Sequence, residues 1–597
     1  MSVEKLITAS AMDGVNVDHA GAIIDHIDLW TVAVRPKSSA GRGSNSKLEL
    51  TGIKKLRELI LELAVRGKLV PQDPSDEPAF VLLERIAAEK ALLVKEKKIK
   101  KSKALPEIGE EEKLFELPDG WEWARLNDLG DWGAGATPTR SNSDFYGGNI
   151  PWFKSGELTS DYIFKSEESV TELALSKSSL RYNDVGDVLV AMYGATIGKT
   201  AILGVKATTN QAVCACTTFD GFLNLYLLQL LKAYRPRLIG MGAGGAQPNI
   251  SKDKLIATIV ALPPFNEQKR IVSKIDELMA LCDQLEQRSE SQLAAHQTLV
   301  ETLLATLTDS TDADELAQNW ARLRTHFDTL FTSEASIDTL KQTILQLAVM
   351  GKLVPQDPSD EPAAVLLARI AAEKAQLVKE KKIKKEKPLP AISEDDKPFL
   401  IPEGWVFARL QNVIDVRDGT HDSPKDAVGE NTYPLITSKD FKNGLVDFEN
   451  ARYISEEDHV EISKRSLVEK YDILFSMIGG NIGNQVMVMS QRPFSVKNVA
   501  LFKYFSKECT LPEYVFLYTQ HLANDLQEQA VGGAQPFISL GALRSLIFPL
   551  PPVSEQHKIA AKVDELMAIC DQLKSRLQTN QQTELALAES LVEGALA

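Results

Sequence analysis

Apolar residues recur at helical spacing in four segments of the chain. In residues 81–101 and 365–385 they lie three and four positions apart without internal glycine or proline, which predicts two amphipathic helices. Ser-Asp-Glu-Pro at 75–78 and 359–362 precedes these helices, as is typical of a helix start. Two later segments carry a heptad pattern, which predicts a coiled coil. The apolar seam of the first comprises Ile271, Ile275, Leu278, Cys282 and Leu285, and that of the second comprises Ile559, Val563, Leu566, Cys570 and Leu573.

The first heptad pattern weakens after residue 289 and resumes at Leu299 and Leu303. Two heptad segments in one chain pack most economically on each other, so we expect the two seams to pair antiparallel. Elsewhere the pattern is that of mixed α/β domains, with glycine-punctuated strands and one helix before each Gly-Gly-Ala-Gln-Pro motif. The predicted strands are 187–193, 200–205 and 471–478, and the predicted helices are 222–233 and 512–524.

The chain is a tandem duplication. Residues 66–101 and 350–385 differ at only four of 36 positions, and we call the repeated segments the frames. The segments of about 127–243 and 411–531, the first and second inserts, share only scattered anchors. Near-identical frames around dissimilar inserts suggest one scaffold that carries two different readers, although drift after duplication is the alternative. Further frame matches are 244–251 with 532–539, 262–264 with 550–552, and 276–285 with 564–573.

Composition narrows the class of protein. A chain of 597 residues is long enough for three to five structural units. It has no apolar run of 18 residues and no signal-peptide pattern in residues 1–30, and its five cysteines are too few for a disulfide scaffold, so we expect a cytoplasmic protein without a membrane partner. The net charge of −15 argues against non-specific polyanion binding, but it is compatible with a few well-placed basic residues or with charge supplied by partner subunits.

Two motifs resemble nucleotide or cofactor sites but lack the required residues. A phosphate-binding loop needs four residues between its glycines, whereas Gly194 and Gly198 are separated by three, so we expect a glycine turn between strands. Leu262-Pro-Pro-Phe265 has leucine where the loop of amino-methyltransferases has Asn or Asp. No GxGxxG motif follows a strand either. We therefore predict no site for S-adenosylmethionine in this chain.

Metal sites are not predicted either. Cys214 and Cys216 have no second cysteine pair at metal-ligand spacing, so alternate core positions of one strand are expected. The eight histidines do not cluster. The basic runs 95–101 and 379–385 close the predicted frame helices, where they complement the helix dipole and are also placed to contact DNA phosphates.

Several motifs together resemble the specificity subunit of type I restriction–modification enzymes, a host-defence system. The resemblance begins near residue 47, occurs twice and leaves residues 1–46 as an N-terminal extension. The motifs are Gly120-Trp121, Gly404-Trp405, Asn-Ile-Pro-Trp-Phe-Lys-Ser-Gly at 149–156, Met-Tyr-Gly-Ala-Thr-Ile-Gly at 192–198, the Gly-Gly-Ala-Gln-Pro segments, and Leu-Pro-Pro-x-x-Glu-Gln at 262–268 and 550–556.

The resemblance implies an α+β fold. Two mixed α/β target recognition domains would be separated by long α-helices that pair as an antiparallel coiled coil, within an internal tandem duplication. The implied boundaries are 1–46 for the extension, 47–105 and 333–389 for the two copies of the helical frame, 106–265 and 390–553 for the two recognition domains, and 266–332 and 554–597 for the two spacer helices.

The resemblance also implies function and partners. Each recognition domain would read one half of a bipartite site in double-stranded DNA, while the helices set the spacing and dock two methyltransferase (modification) subunits and the restriction/translocase subunits. The chain would be non-catalytic and would hold no cofactor, with S-adenosylmethionine, ATP and Mg on the partner subunits. The seam residues are candidates for the coiled coil and for partner contacts. The alternatives are a single-chain DNA methyltransferase or nuclease, which needs a catalytic loop, and a protein-binding coiled-coil adaptor, which needs no divergent inserts.

Candidate DNA-binding residues follow from side-chain chemistry, since Arg, Lys, Asn, Gln, Ser and Thr read base edges and Arg and Lys bind phosphates. For each candidate, an ordinary exposed polar role is equally open. Gln247 and Gln535 are expected to be structural turn residues near DNA. The candidates are Arg140, Lys154, Ser155, Tyr193 and Lys199 in the first insert, and Arg417, Thr420, His421, Lys425, Ser438, Lys439, Asn481 and Asn484 in the second.

Overall fold

The chain forms two compact units that follow the duplication in the sequence. Unit 1 takes in the described residues up to 291 and those from 581 onward, and unit 2 takes in residues 292–580. Each unit contains one frame and one insert. A computed structural model describes residues 23, 25–36, 48–101, 105–242, 248–311, 313–442, 444–530 and 536–596.

Unit 1 combines helices with short strands. Its helices are α1 (Ile27–Val32), α2 (Thr51–Val65), α3 (Ala79–Lys95), α4 (Leu126–Leu129), α5 (Glu172–Lys177), α6 (Asn224–Ala233), α7 (Arg235–Gly242), α8 (Lys252–Ile256) and the start of α9 (Phe265–Asp309). Its strands are β1 (Arg35–Pro36), β2 (Leu48–Glu49), β3 (Glu122–Arg125), β4 (Gly130–Ala134), β5 (Tyr146–Phe153), β6 (Tyr162–Ile163), β7 (Glu168–Val170), β8 (Val188–Ala191), β9 (Thr200–Leu203), β10 (Thr208–Thr209), β11 (Val213–Thr218) and β12 (Ile259–Leu262).

Unit 2 repeats this plan with different strand lengths. Its helices are α10 (Ala313–Thr325), α11 (Phe327–Leu330), α12 (Glu334–Val349), α13 (Ala363–Lys379), α14 (Leu410–Val413), α15 (Glu456–Ser466), α16 (Pro512–Glu528), α17 (Leu540–Ser545) and the start of α18 (Val553–Leu596). Its strands are β13 (Val406–Arg409), β14 (Ile414–Asp418), β15 (Thr432–Ile436), β16 (Phe441–Lys442), β17 (Leu445–Val446), β18 (Arg452–Ser455), β19 (Ile473–Ser476), β20 (Gln485–Met487), β21 (Ser495–Val496), β22 (Val499–Tyr504) and β23 (Ile547–Leu550).

The helical frame of each unit, residues 47–105 or 333–389, contains one buried helix followed by one largely exposed helix. Helix α2 buries apolar residues on most of its faces, whereas α3 buries only Ala79, Leu82 and Ile86. Helices α12 and α13 repeat this difference. Part of the N-terminal extension belongs to the core of unit 1, because Trp30 of α1 is fully buried and its carbonyl lies where a Cβ on Gly52 would clash.

The frame helices are shorter than the sequence pattern predicts. Helix α3 ends at Lys95 and α13 at Lys379, so most of each basic run lies beyond the helix. Lys97 and Lys381 have left-handed backbone angles, with φ of 59° and 58°. Lys98 N donates to Leu93 O over 2.9 Å and so closes the last turn of α3. The exposed lysines of each basic run therefore lie in the turn that caps the helix, where their positive charge interacts favourably with the carbonyl end of the helix.

Each insert is flanked by two strands that pair to form one small antiparallel sheet, the closing sheet. Strand β3 pairs with β12, with Trp123 opposite Ala261, and β13 pairs with β23 in the same way. Between these strands, unit 1 has a five-stranded sheet of order β4-β11-β8-β9-β6 and a three-stranded sheet β10-β5-β7. Unit 2 has β14-β22-β19-β20 and β18-β15-β21. The same closing sheet thus carries two inserts that differ in strand number.

The predicted elements of the inserts are confirmed. The three predicted strands correspond to β8, β9 and β19, and the two predicted helices correspond to α6 and α16. Strands β8 and β9 form an antiparallel pair joined through Gly194 and Gly198, so the expected glycine turn is also confirmed. Cys214 and Cys216 are fully buried on β11, as alternate core positions require.

The two long helices run in opposite directions between the units, as predicted. Helix α9 begins in unit 1 and ends in unit 2, whereas α18 begins in unit 2 and ends in unit 1. The expected pairing of one heptad seam with the other is wrong. The first seam lies in the core of unit 1 with α2 and Ala588, and the second lies in the core of unit 2 with α12 and Val300. Each seam is therefore covered by a frame helix and by the far end of the other long helix.

The continuation of the first seam is displaced by one residue from the prediction. Leu299 is 49% exposed, whereas Val300, Leu304 and Leu307 are buried. An α-helix has 3.6 residues per turn, so a strict seven-residue repeat drifts around its surface. Polar residues between 289 and 296 interrupt the seam, and the buried face beyond them is displaced by one residue. In the second seam Leu566 and Leu573 are only half-buried.

A buried Glu-Gln pair in the first turn of each long helix connects the parts of its unit. In unit 1, Trp121 Nε1 donates to Glu267 Oε2 over 3.0 Å, and Gln72 Nε2 donates to Glu267 Oε1 over 3.2 Å. The neighbouring Gln268 accepts from Leu223 N over 2.9 Å and donates to Pro263 O over 3.1 Å. The frame, both ends of the insert and the start of α6 are thus tied to the start of α9.

Unit 2 repeats every one of these four hydrogen bonds. Trp405 and Gln356 donate to Glu555 over 2.9 and 2.8 Å. Gln556 accepts from Leu511 N over 2.8 Å and donates to Pro551 O over 3.0 Å. Burial raises the pKa of the Glu267 carboxyl to about 7, against the opposing hydrogen bonds from Trp121 and Gln72. Burial likewise raises the pKa of Glu555.

The raised pKa of Glu267 predicts a pH-dependent stability. The folded chain binds the Glu267 proton more tightly than the unfolded chain, whose carboxyl titrates near 4.5, so this contribution to stability is lost as the pH rises from about 4.5 to about 7. Its full size is on the order of 1–3 kcal/mol. We expect the thermal midpoint of the wild type, measured relative to that of Glu267→Gln, to decrease between pH 5 and pH 8.

The matched control is Glu290→Gln, which removes an exposed carboxyl from the same helix. Relative to this variant, the pH profile of the wild type should stay parallel, since no burial acts on the charge that is removed. Parallel profiles for Glu267→Gln as well would contradict the assignment of the raised pKa to the buried carboxyl.

Candidate nucleic-acid interface

In unit 1 the loop that follows β4 is held against the loop between β10 and β11. Gly135 N donates to Val213 O over 2.9 Å, and Ala136 N donates to Thr209 O over 2.9 Å. Glycine is required at position 135, because an added Cβ would lie 2.3 Å from the Thr209 carbonyl oxygen. We call residues 135–137 together with 209–213 the junction of unit 1.

Unit 2 has the same backbone arrangement at residues 419–421 and 496–499, its own junction. Gly419 N donates to Val499 O over 3.0 Å, and Thr420 N donates to Val496 O over 2.9 Å. In both units the second loop is positioned by a short parallel strand pair, β10 with β5 and β21 with β15. The two junctions therefore share their anchoring hydrogen bonds, although the second loop is one residue shorter in unit 2, where Asn498 has a left-handed backbone with φ of 57°.

The side chains at the two junctions differ. In unit 1 the Thr137 hydroxyl donates to the amide oxygen of Gln211, and both residues are exposed. In unit 2 the equivalent contact joins His421 Nδ1 and Asn498 Oδ1 over 3.1 Å, while His421 Nε2 lies 2.7 Å from Asp418 Oδ2. The hydrogen bond with Asn498, followed by that with Asp418, raises the pKa of the His421 imidazole. The unit 2 junction thus carries a more persistent cation than a free histidine.

Two candidate cations of the first insert share one carboxylate. Arg140 Nη1 lies 2.6 Å from Glu168 Oε2, and Lys154 Nζ lies 3.0 Å from Glu168 Oε1. The Arg140 guanidinium also stands over the rings of Tyr146 and Trp152, 4.7 and 5.0 Å from their centres. Arg140, followed by Lys154, lowers the pKa of the Glu168 carboxyl. We call Arg140, Lys154 and Glu168 the Glu168 cluster.

Ser155 and Ser438 occupy equivalent backbone positions, after a lysine (Lys154) in unit 1 and after a threonine (Thr437) in unit 2. Ser155 and Ser438 each begin a short 3-10 turn, which is closed by Glu157 accepting from Lys154 N in unit 1 and by Asp440 accepting from Thr437 N in unit 2. Both serines are half-buried.

The three remaining candidate cations of the second insert differ in their pairing. Among the described residues, the exposed ammonium groups of Lys425 and Lys439 have no hydrogen-bond or ion-pair partner. Arg417 instead lies 2.7 Å from Asp415 on the same strand. Thr420 is buried, and its hydroxyl accepts from Asp422 N over 3.1 Å, so it supports the loop rather than presenting a free hydroxyl.

The glycine turns hold four further candidates. Tyr193 and Lys199 flank the first turn, and Asn481 and Asn484 flank the second. Both turns are held by the proline that ends each Gly-Gly-Ala-Gln-Pro motif, because Gly194 N donates to Pro248 O and Gly479 N donates to Pro536 O, each over 2.8 Å. Residues 243–247 and 531–535 lie outside the described residues, and with them the predicted turn residues Gln247 and Gln535.

The structure thus groups only part of the candidate set. It brings Arg140 together with Lys154, and His421 together with Asp418 and Asn498. The selection of candidates by side-chain chemistry did not include Gln211 and Asn498, which the structure places beside Thr137 and His421. A short polar stretch between two buried strands, Asn210-Gln211 in one insert and Lys497-Asn498 in the other, is the signal that marks them. The DNA contacts themselves stay predictions.

Two other kinds of site are not found in the described ranges. No group of three or more His, Cys, Asp or Glu side chains in them is arranged to hold a metal ion. None of the helices within those ranges is both long enough and apolar enough to cross a membrane.

The repeated frames and divergent inserts define a chain built from two copies of one domain. The family model described as "Type I restriction modification DNA specificity domain" matches residues 118–295 and again residues 402–583. The chain belongs to this family. It is 42% identical to the Type I restriction enzyme EcoAI specificity subunit of Escherichia coli and 40% identical to the EcoEI specificity subunit of the same organism, with all of each chain covered in both comparisons.

A solved structure also matches the chain. The crystal structure of the HsdS subunit from Thermoanaerobacter tengcongensis covers 81% of this chain and 98% of its own, with 16% sequence identity and a TM-score of 0.38.

The shared carboxylate of the Glu168 cluster generates a prediction about DNA affinity. Glu168→Gln removes the carboxylate that holds Arg140 and one of the two that hold Lys154, which keeps Glu167 at 3.1 Å. Arg140 then becomes available to phosphates, and Lys154 is held less tightly. In the chain assembled with its modification subunits, we expect tighter DNA binding and a slope of log K against log salt that is steeper by about one to two units. Lys154→Ala should weaken binding and flatten the slope by about one unit.

Asp220→Asn is the matched control, because it removes one exposed negative charge from the same insert. Fluorescence anisotropy titrations at several salt concentrations would compare the three variants with the wild type. Slopes for Glu168→Gln and Lys154→Ala that equal the Asp220→Asn slope would place the cluster away from the DNA.

Proposed function

We propose that this chain is the DNA-reading subunit of a type I restriction–modification complex. Each insert reads one half of a bipartite target in double-stranded DNA. The two long helices set the distance between the half-sites and dock two methyltransferase subunits, and restriction/translocase subunits join the same assembly. The chain itself is non-catalytic, and S-adenosylmethionine, ATP and Mg bind to the partner subunits.

One observation carries this proposal. The Glu-Gln pairs, the closing sheets and the anchoring hydrogen bonds of the junctions are the same in both units, while the exposed side chains of the inserts differ. A common support with different surface chemistry is what two readers of unlike half-sites require. An enzyme with one active site gains nothing from repeating the support, and a protein-binding adaptor has no use for two divergent inserts.

The acidic composition is compatible with this role. Arg140, Lys425 and Lys439 are exposed cations of the two inserts in a chain whose net charge is −15. Because non-specific affinity comes mainly from phosphate neutralisation, such a chain binds random DNA weakly and depends on base contacts and on partner subunits for affinity.

Exchanging inserts within the chain tests the proposal. Residues 126–258 would be replaced by residues 410–546, which keeps β3 and β12 and joins the segments where Leu126 N donates to Thr258 O and Leu410 N donates to Leu546 O. We expect the complex with modification subunits to methylate a target that contains the second half-site sequence twice. The first half-site should no longer be required. The readout is methylation mapped by sequencing on a library of random DNA.

The reciprocal exchange is the control, and it should yield a target with two copies of the first half-site. A change in both halves after a single exchange would contradict modular reading. Binding of S-adenosylmethionine to the isolated chain in a calorimeter would contradict the non-catalytic role.

The proposed spacing role of the helices predicts a change in target geometry. One heptad would be inserted after Ser291 in α9 and after Asn580 in α18, where both side chains are exposed and the helices pass from one unit to the other. Seven residues add about 10.5 Å of helix. At about 3.4 Å per base pair, the non-specific spacer should lengthen by about three pairs, with a rotation of roughly 100° between the half-sites.

Methylation mapping of the double-insertion complex should show both half-site sequences unchanged, because no insert residue was altered. Insertion into α9 alone is the comparison, and it should lower the thermal midpoint or the yield of complex. A spacer of wild-type length in the double-insertion complex would show that the partner subunits position the readers.

A further inference from the structure

The equivalent junctions raise a question that rests on the proposed function: which side chains distinguish the two half-sites. Both junctions have the same backbone hydrogen bonds, through Gly135 or Gly419 and through the carbonyl that precedes the second loop. A feature that is common to both units cannot account for different half-sites. The difference must lie in side chains that occupy equivalent, solvent-facing positions.

The amide side chains of Gln211 and Asn498 meet this condition. Each lies on the second loop of its junction and contacts, through its amide oxygen, the side chain at the third residue of the first loop, Thr137 or His421. Gln211 is exposed and Asn498 is half-buried. In each case the oxygen has an internal partner, which fixes the orientation of the amide and leaves its NH₂ group without a protein partner among the described residues.

An oriented carboxamide is well suited to reading a base. Asn and Gln side chains recognise adenine in the major groove by pairing their amide with N6 and N7, and a fixed rotamer lowers the entropic cost of such a contact. Gln reaches one methylene further than Asn, and the neighbouring group is a neutral hydroxyl in unit 1 and an imidazole held by Asp418 in unit 2. The same pair of anchoring hydrogen bonds therefore supports two amides of different length, beside neighbours of different charge.

We propose that Gln211 with Thr137, and Asn498 with His421, are specificity-determining pairs that each read a base in one half-site. Thr137 and His421 act as positioning residues for the two amides. The Glu168 cluster and the exposed lysines bind the DNA backbone and contribute affinity without selecting sequence.

Isosteric substitutions distinguish an amide that reads a base from an amide that only supports its loop. Gln211→Glu and Asn498→Asp keep the oxygen that accepts from Thr137 or lies beside His421, but they remove the amide N–H donors. Asp also tolerates the left-handed backbone at position 498, where φ is 57°. The added negative charge is matched by the controls Thr139→Asp and Asn431→Asp, at exposed positions of the same two inserts.

The experiment selects bound sequences from a DNA library with randomised half-sites, using the chain assembled with its modification subunits. Gln211→Glu should lower the preference for the wild-type base at one position of one half-site by about 5- to 150-fold, and Asn498→Asp should do so only in the other half-site. The Thr139 and Asn431 controls should weaken binding to all sequences equally. Gln211→Ala and Asn498→Gly repeat the test if an acidic variant does not assemble.

The outcomes distinguish the two levels of the proposal. If the wild-type complex selects no bipartite sequence, the proposed function fails. If it does select one, and the amide variants keep its base preferences or lose affinity only as the charge controls do, the assignment of the specificity-determining pairs is overturned.

Discussion

The architecture of each unit depends on a carboxyl buried in the first turn of a long helix. Glu267 has no contact with bulk water to offset its burial, so its two oxygens must be satisfied by donors that the rest of the unit supplies. Those donors are Trp121, where the insert begins, and Gln72, in the frame. Gln268 adds the start of α6 and the Leu-Pro-Pro segment. Segments that lie far apart in sequence are thereby fixed relative to one helix end.

This arrangement explains how the inserts can vary while the frames do not. The hydrogen bonds are directional and buried, so loss of any partner leaves a polar group unsatisfied, at a cost of about 1–3 kcal/mol. The segment between Leu126 and Thr258 is attached through the closing sheet, through α6 and through α3, where Lys90 donates to Asn127 O and Glu89 accepts from Asp220 N. A five-stranded sheet in unit 1 and a four-stranded sheet in unit 2 are both compatible with these attachments.

Sequence patterns predict the parts of this structure that are local or repeated. Helical periodicity identified α3, α13 and the long helices, and the glycines at 194 and 198 identified the turn between β8 and β9. The pairing of the seams could not be predicted in the same way, because a heptad defines which face of a helix is buried but not what covers it. Displacement of the seam from Leu299 to Val300 followed from polar residues that interrupt the heptad.

The junctions lay beyond prediction for a related reason. Residues 135–137 and 209–213 are distant in sequence. They meet because β4 pairs with β11, with Ala134 opposite Cys214, and because the two-residue strand β10 pairs in parallel with β5. So short a parallel pair has no recognisable pattern of apolar and polar positions. Selection by residue type alone therefore found His421 but missed its partner Asn498. The repeat offers a better guide, since equivalent positions in two copies can be compared within one chain.

The ion pairs of the first insert bear on how an acidic chain can select DNA. Arg140 and Lys154 are held by Glu168 at the protein surface, where such pairs are worth about 0–1 kcal/mol, so a phosphate can replace the carboxylate at little cost. The exchange also yields little net gain, because one pair is formed as another is broken. Phosphate contacts of this kind orient the duplex but add little affinity for DNA of random sequence. Discrimination then depends on side chains that face base edges, and for these the acidic balance of the chain is no disadvantage.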